Sequence, residues 1–345
     1  MSQTDDQAIL DVRDLAVHFH LDEGIVRAVN GVGFRLRPGR SIAIVGESGC
    51  GKTVSAFAIL RILAATARIV SGEMRFRRED GSWVDLAGLA PNSRAMRAIR
   101  GGDVAMVFQE PMTAFSPVHT ISNQIAEAIR LHQEATAEAA GRRVVELLRQ
   151  VGIPDAEARA GAYPFQLSGG MRQRAMIAMA LACHPRILIA DEPTTALDVT
   201  IQAQVLRLIK RMQAELGLAL ILITHDLAVV SHMVDHVHVM YLGRVVEEGP
   251  VASLFDEPLH PYTRALLRSI PRLSGERQKL VSIEGSVPDP FTIPGGCPFH
   301  PRCPDRIEGR CDRRVPAFVE VAAGRRVSCF LHSDDEATPH GGDRA

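Results

Sequence analysis

Aromatic side chains are scarce: one Trp, three Tyr and twelve Phe make up 5% of 345 residues. So few planar faces leave little for stacking on bases, which argues against a single-strand nucleic-acid binder. A basic surplus is missing as well, since 39 Lys and Arg stand against 40 Asp and Glu, for a formal charge of −1. Nucleic acid is therefore not expected as a partner. Long apolar runs are also lacking. The best, LALILIT (Leu218 to Thr224), falls far short of the roughly 20 residues a spanning helix needs. The opening MSQTDDQAIL has early acids and no basic region before an apolar stretch, so it does not read as a signal peptide. In a cytosolic chain disulfides are not expected, and a cysteine cluster is read first as a metal or cofactor site.

What the chain does have is length for about two domains and 46% apolar residues, close to a globular average. Short apolar runs predict buried strands at SIAIV (Ser41 to Val45), VAMVF (Val104 to Phe108), ILIA (Ile187 to Ala190) and LILI (Leu220 to Ile223). In TIQAQVLRLIKRMQAELG, Ile201, Val205, Leu208, Ile209, Met212 and Leu216 fall on one face of a helix. Strands alternating with helices predict an α/β fold with a largely parallel sheet. The first 45 residues and Val70 to Asp85 read instead as antiparallel strands or hairpins, and residues around 120 to 182 as mainly helical. Six prolines between Pro288 and Pro304 exclude a long helix or a central strand there.

GESGCGKT (Gly46, Glu47, Ser48, Gly49, Cys50, Gly51, Lys52, Thr53) follows the strand SIAIV and precedes a helical run. This is a phosphate loop in its required setting: glycines turn backbone N–H groups inward and the next helix aims its positive end at the same point. Lys52 can reach β- and γ-phosphates, and the Thr53 hydroxyl can ligate Mg²⁺. About 140 residues later ILIADEP ends an apolar strand with two carboxylates. Asp191 is placed to hold Mg²⁺ and Glu192 to act as general base on an attacking water. Between them, in LSGGMRQR, Ser168, Gly169 and Gly170 stand before a helix and form a second anion cradle.

With LSGGM the chain resembles the ABC-type ATPases, whose signature is LSGGQ or a near variant. The resemblance implies a RecA-like P-loop core with an antiparallel β subdomain and a helical signature subdomain at about 110–182. It implies that Gln109 in VFQEP contacts Mg²⁺ and the attacking water. Asp198 in TALD would cross a dimer interface, and His225 in ITHDL would touch the γ-phosphate. ATP would lie between two nucleotide-binding subunits arranged head to tail. Phe19 is the poor match: it is open between an adenine-stacking role and core. Cys50 reads as a small tolerated side chain and Cys183 as buried packing.

GESGCGKT, FQEPMTAFSP, YPFQLSGGMRQR, LDVTIQAQ and HPYTRALLRSIP together are similar to oligopeptide/dipeptide (and nickel) importer ATPases. AFSP departs from that subfamily's usual form, SLNP, next to the segment that receives the membrane subunits. The resemblance implies an ATP-binding domain over 1–255 and a subfamily extension over 256–345. It implies two permeases, a second homologous ATPase subunit and an extracytoplasmic binding protein, with the chain peripheral on the cytoplasmic face of the inner membrane. Nickel chelates or another solute stay open as cargo. A soluble, non-transporting ABC ATPase would show coiled-coil insertions, tandem domains or basic linkers; an exporter would lack this tail.

Cys297, Cys303, Cys311 and Cys329 are spaced C-x5-C-x7-C-x17-C. Four thiolates suit structural Zn²⁺ or an iron–sulfur cluster, and the spacing alone leaves both open. The tail could also be an independent zinc-binding interaction module. The subfamily resemblance favours a [4Fe–4S] cluster over Zn²⁺, as a staple for an extension with little core of its own. His300 and His332 read as bystanders.

Overall fold

A computed structural model describes residues 7–195, 197–270 and 283–334. The chain divides into two compact units, one from Met1–Arg37, Ser41–Gly88 and Ile223–Ala345, the other from Pro38–Arg40 and Leu89–Leu222. In chain order the strands are β1 (Leu10–Leu21), β2 (Gly24–Leu36), β3 (Ser41–Val45), β4 (Ala67–Arg77), β5 (Trp83–Asp85) and β6 (Val104–Val107). They continue as β7 (Ile187–Asp191), β8 (Ala219–Thr224), β9 (His236–Tyr241), β10 (Arg244–Pro250), β11 (Val319–Ala322) and β12 (Arg325–Val327).

In the first unit, β1 pairs antiparallel with β2 and β4, and β5 closes the order β2-β1-β4-β5. The apolar positions of these strands, among them Leu10, Leu15, Val17, Val29, Phe34, Met74 and Phe76, are buried. The hairpin predicted within MRFRREDGSWVDL forms, with Phe76 opposite Val84. A second set of strands begins at β3, which runs parallel to β9. Antiparallel pairing then adds β10, β12 and β11 in turn. The last two come from beyond the proline-rich stretch, and Val327 of β12 is buried opposite Glu247. Between Pro288 and Pro304 the chain makes a single 3-10 turn, His300–Arg302, as expected for that proline density.

The second unit holds β6, β7 and most of β8, in the order β8-β7-β6, with Val104 to Val107 parallel to Ile187 to Ala190. Every residue of β7 and β8 is buried, as unbroken apolar runs predict for strands covered on both faces. The predicted long helix spans Val199–Leu216. Asp198 caps its start, Gly217 ends it in the left-handed region, and it buries Val205, Leu208, Ile209 and Met212. Helices Ile121–His132, Ala137–Gln150 and Gly169–Leu181 pack on one another and bury Ile125, Ile129, Val144, Leu148, Met176 and Ile177. They lie in the stretch read as helical.

Candidate functional site

In the first unit β3 delivers the chain into GESGCGKT, and the helix Lys52–Ile59 leaves it. Gly51 caps that helix at φ 100°, and a Cβ there would stand 2.0 Å from the Ala28 carbonyl oxygen. No side chain fits, so the loop backbone lies directly on β2. The Cys50 carbonyl accepts from Gly243 N–H at 3.0 Å, and the Gly243 carbonyl accepts from Asn30 N–H at 2.8 Å. Cys50 is buried, and burial pushes its thiol up. It fills a small space, as its position in the loop predicts.

Lys52 is only 5% exposed. Its ammonium donates to the Gly46 carbonyl at 2.8 Å and the Glu47 carbonyl at 3.0 Å, so it lies inside the loop it must serve. Thr53 sits in the first turn of the helix, where a hydroxyl oxygen is the kind of donor Mg²⁺ takes. His225 is exposed and follows Thr224, whose hydroxyl accepts the Asp226 N–H at 3.0 Å. Phe19 is half-buried on β1, paired with Val26 and Ala67.

Two residues outside the motifs hold the loop, and sequence reasoning missed both. The Glu47 N–H donates to the Tyr262 hydroxyl at 2.9 Å. The Glu47 carboxylate meets the Arg302 guanidinium in a fork, at 2.7 and 3.1 Å. Tyr262 belongs to HPYTRALL, in the helix Pro261–Arg268, and Arg302 directly precedes Cys303. Their only signal in the sequence is membership of segments that already set the subfamily apart.

In the second unit β7 ends on Asp191, which is 2% exposed, and Glu192 follows at φ 42°. That left-handed turn brings Glu192 to Gln109: the amide donates to Glu192 Oε2 at 3.1 Å. The Thr195 hydroxyl donates to the same oxygen at 2.9 Å. Two motifs 83 residues apart therefore share one carboxylate. Ser168 caps the helix Gly169–Leu181, its hydroxyl accepting Met171 N–H at 3.3 Å, and Ser168 and Gly169 are exposed. Asp198 is exposed too, and its carboxylate accepts Ile201 N–H at 3.0 Å. Cys183 donates to the Ala128 carbonyl at 3.4 Å, and burial pushes its thiol up to about 11.

The tail cysteines are all free thiols. Cys297 N–H donates to the Cys311 carbonyl at 2.8 Å, and the Cys311 sulfur accepts Ile307 N–H at 3.3 Å. Burial pushes Cys297 up to about 12 and Cys329 up to about 11, and neighbouring cysteine sulfurs add to both rises. Burial raises Cys303 as well. Among the described residues no group of three or more His, Cys, Asp or Glu side chains stands where it could hold a metal ion. Four cysteines are a donor set that suits a thiophilic metal. Burial opposes ionisation of Cys297, Cys303 and Cys329 in the metal-free chain, and a metal bound here would have to displace their protons. His300 and His332 face backbone carbonyls, of Cys297 at 3.0 Å and Leu259 at 3.1 Å.

Residues 29–195 match the ABC transporter family, and residues 246–311 match the oligopeptide/dipeptide transporter C-terminal region. "Probable peptide ABC transporter ATP-binding protein y4tR" of Sinorhizobium fredii is 49% identical over 94% of this chain and 96% of its own length. "Dipeptide transport ATP-binding protein DppD" of Escherichia coli is 44% identical over 96% of this chain and 99% of its own. Among solved structures, a dimeric bacterial ABC transporter cassette, MJ0796, is 26% identical with a TM-score of 0.61, covering 70% of this chain and 98% of that one. The cbiO1 subunit from Clostridium perfringens, part of the ABC transporter complex cbiONQ, is 28% identical with a TM-score of 0.58. It covers 73% of this chain and 92% of that one.

Proposed function

Because the chain belongs to the ABC transporter family of ATPases and carries the oligopeptide/dipeptide transporter C-terminal region, we propose that it is the ATP-hydrolysing subunit of a peptide importer. The observation that carries the reading is the likeness to peptide and dipeptide transport ATPases through the tail as well as the ATPase motifs, over 94 to 96% of the chain. An ATPase of this family works with permeases and as a dimer. Among the described residues no helix is long and apolar enough to cross a membrane. The chain sits peripherally at the cytoplasmic face of the membrane, against two permeases and a second homologous ATPase, with an extracytoplasmic protein delivering the peptide.

Each motif then has a task. In the first unit the loop N–H groups of Gly46 to Thr53 and the Lys52 ammonium bind the β- and γ-phosphates, and His225 contacts the γ-phosphate. In the second unit Glu192 takes a proton from the attacking water, and Gln109 orients that water through the shared hydrogen bond. Ser168, Gly169 and Gly170 close on the nucleotide held by the partner ATPase, and Asp198 lies at that interface. Thr53 in the first unit, and Asp191 and Gln109 in the second, each carry an oxygen of the kind Mg²⁺ takes, and Mg²⁺ would neutralise phosphate charge.

The test is co-purification of the importer and measurement of its ATPase rate with its cognate binding protein. Di- and oligopeptides should raise the rate severalfold; stimulation by a nickel chelate alone would reassign the cargo. For the tail, the donor set and the subfamily resemblance support a [4Fe–4S] cluster, with Zn²⁺ as the alternative. Anaerobically purified protein should hold iron and acid-labile sulfide. Zinc without sulfide would overturn the cluster, and neither metal would leave four packed thiols.

A further inference from the structure

Glu47 puts a carboxylate into a loop built to bind anions. Coulomb repulsion between that charge and a polyphosphate weakens binding unless something cancels it. The structure supplies the cancelling charge from the tail. Arg302 meets both carboxylate oxygens, at 2.7 and 3.1 Å, across 255 residues of chain. A bidentate fork is the strongest geometry available to an arginine and a carboxylate. The Arg302 side chain is 4% exposed and that of Glu47 25%, so the pair is only partly screened by water.

The fork is itself held on several sides. Arg302 Nε donates to the Glu284 carbonyl at 3.1 Å, and its guanidinium lies 5.9 Å from the centre of the Tyr241 ring. Tyr241 packs against Tyr262 and Phe299 with ring centres 4.7 and 5.2 Å away, and Tyr262 and Phe299 meet at 5.3 Å. The hydroxyl of that same buried Tyr262 accepts the Glu47 N–H. Both the backbone and the side chain of Glu47 are thus gripped by the segment after the ATPase motifs.

We propose that Arg302 is a positioning residue of the nucleotide site: it neutralises Glu47 and fixes the phosphate loop, making ATP affinity depend on the cysteine-bearing extension. This rests on the reading of GESGCGKT as the ATP loop. The extension is then a working part of the site as well as a subfamily marker. Its packing around Phe299 and Arg302, which lie between Cys297 and Cys303, is what the loop senses.

Full-length Arg302→Gln protein in the assembled importer tests this. The KM for ATP should rise about tenfold while kcat stays within about twofold, because the chemical groups are untouched. Adding Glu47→Gln to that variant should bring KM back to within about twofold of wild type, since no charge then needs cancelling. A role confined to stability would lower the melting temperature and active fraction, and Glu47→Gln would restore nothing. An unchanged KM in Arg302→Gln, or a raised KM that Glu47→Gln leaves raised, would overturn the proposal. Should Arg302→Gln fail to fold, Arg302→Lys keeps the charge and loses the fork. It is expected to raise KM about threefold, and a wild-type KM would overturn the proposal. Lys52→Ala separates the two readings. If it bound ATP normally, the loop assignment itself would fail, whatever Arg302 does.

Discussion

The Gln109 amide and the Thr195 hydroxyl donate to the same oxygen of Glu192, at 3.1 and 2.9 Å. Two donors fix the rotamer of a carboxylate whose backbone already sits at φ 42°, a region costly for a non-glycine residue. Side chain and backbone are both held to one purpose, which suits a general base that must not wander. Glu192→Gln keeps an acceptor of the same shape and loses the basicity. ATP turnover in the assembled importer should fall at least about 100-fold, while ATP binding stays within about twofold. Phosphate release and nucleotide titration on one preparation check both, and turnover at the normal rate would remove Glu192 from the mechanism.

Gly51 and Gly49 separate two kinds of glycine requirement in the phosphate loop. At Gly51, with φ 100°, an added Cβ meets the Ala28 carbonyl at 2.0 Å; at Gly49, with φ 81°, it meets nothing within 4 Å. Gly49→Ala therefore carries only backbone strain, about 1 to 2 kcal/mol. Gly51→Ala must also push the loop off β2. ATP affinity should fall at least about 100-fold for Gly51→Ala and about tenfold or less for Gly49→Ala. Equal losses, measured by titration of each full-length chain, would show that the clash is relieved at no cost.

Much of this architecture was legible because its signals are local. Ile42 to Val45 and Ile187 to Ala190 are apolar throughout, and each lies in a strand buried along its length. The helix Val199–Leu216 carries its buried face at helical spacing, although Leu216, on the predicted face, ends 38% exposed at the last turn. The motifs of Gln109 and Glu192 each point to the attacking water, but the hydrogen bond between them was not legible in the sequence. The grip on Glu47 was not legible: Tyr262 and Arg302 lie 215 and 255 residues away, and contacts at that range leave no periodicity. β11 and β12 were hidden for a related reason. Both are short and β11 is largely exposed; β12 is fixed by pairing with β10, and β11 by pairing with β12, rather than by their own pattern. The cysteine spacing named a donor set, but four sulfurs in one tail do not dictate how they are turned.

His260 makes the seat of Tyr262 sensitive to acid. It is 1% exposed; its Nδ1 accepts the Tyr262 N–H at 3.0 Å, and its backbone N–H donates to Glu247 Oε2 at 2.8 Å. Burial, with Arg264 and His332 adding positive charge nearby, pushes its pKa down to about 3. The folded chain therefore keeps the imidazole neutral where the unfolded chain, titrating near its ordinary 6.5, takes up a proton. This contribution to stability is complete above pH 6.5 and is lost progressively as pH falls toward 3. One pH unit inside that window is worth about 1.4 kcal/mol. His260→Asn retains a side chain able to cap the helix Pro261–Arg268 and removes the titration. Between pH 7.5 and 5.5 the melting temperature of the full-length wild-type chain should fall by several degrees more than that of His260→Asn. Parallel pH slopes for the two proteins would show that the proton goes elsewhere.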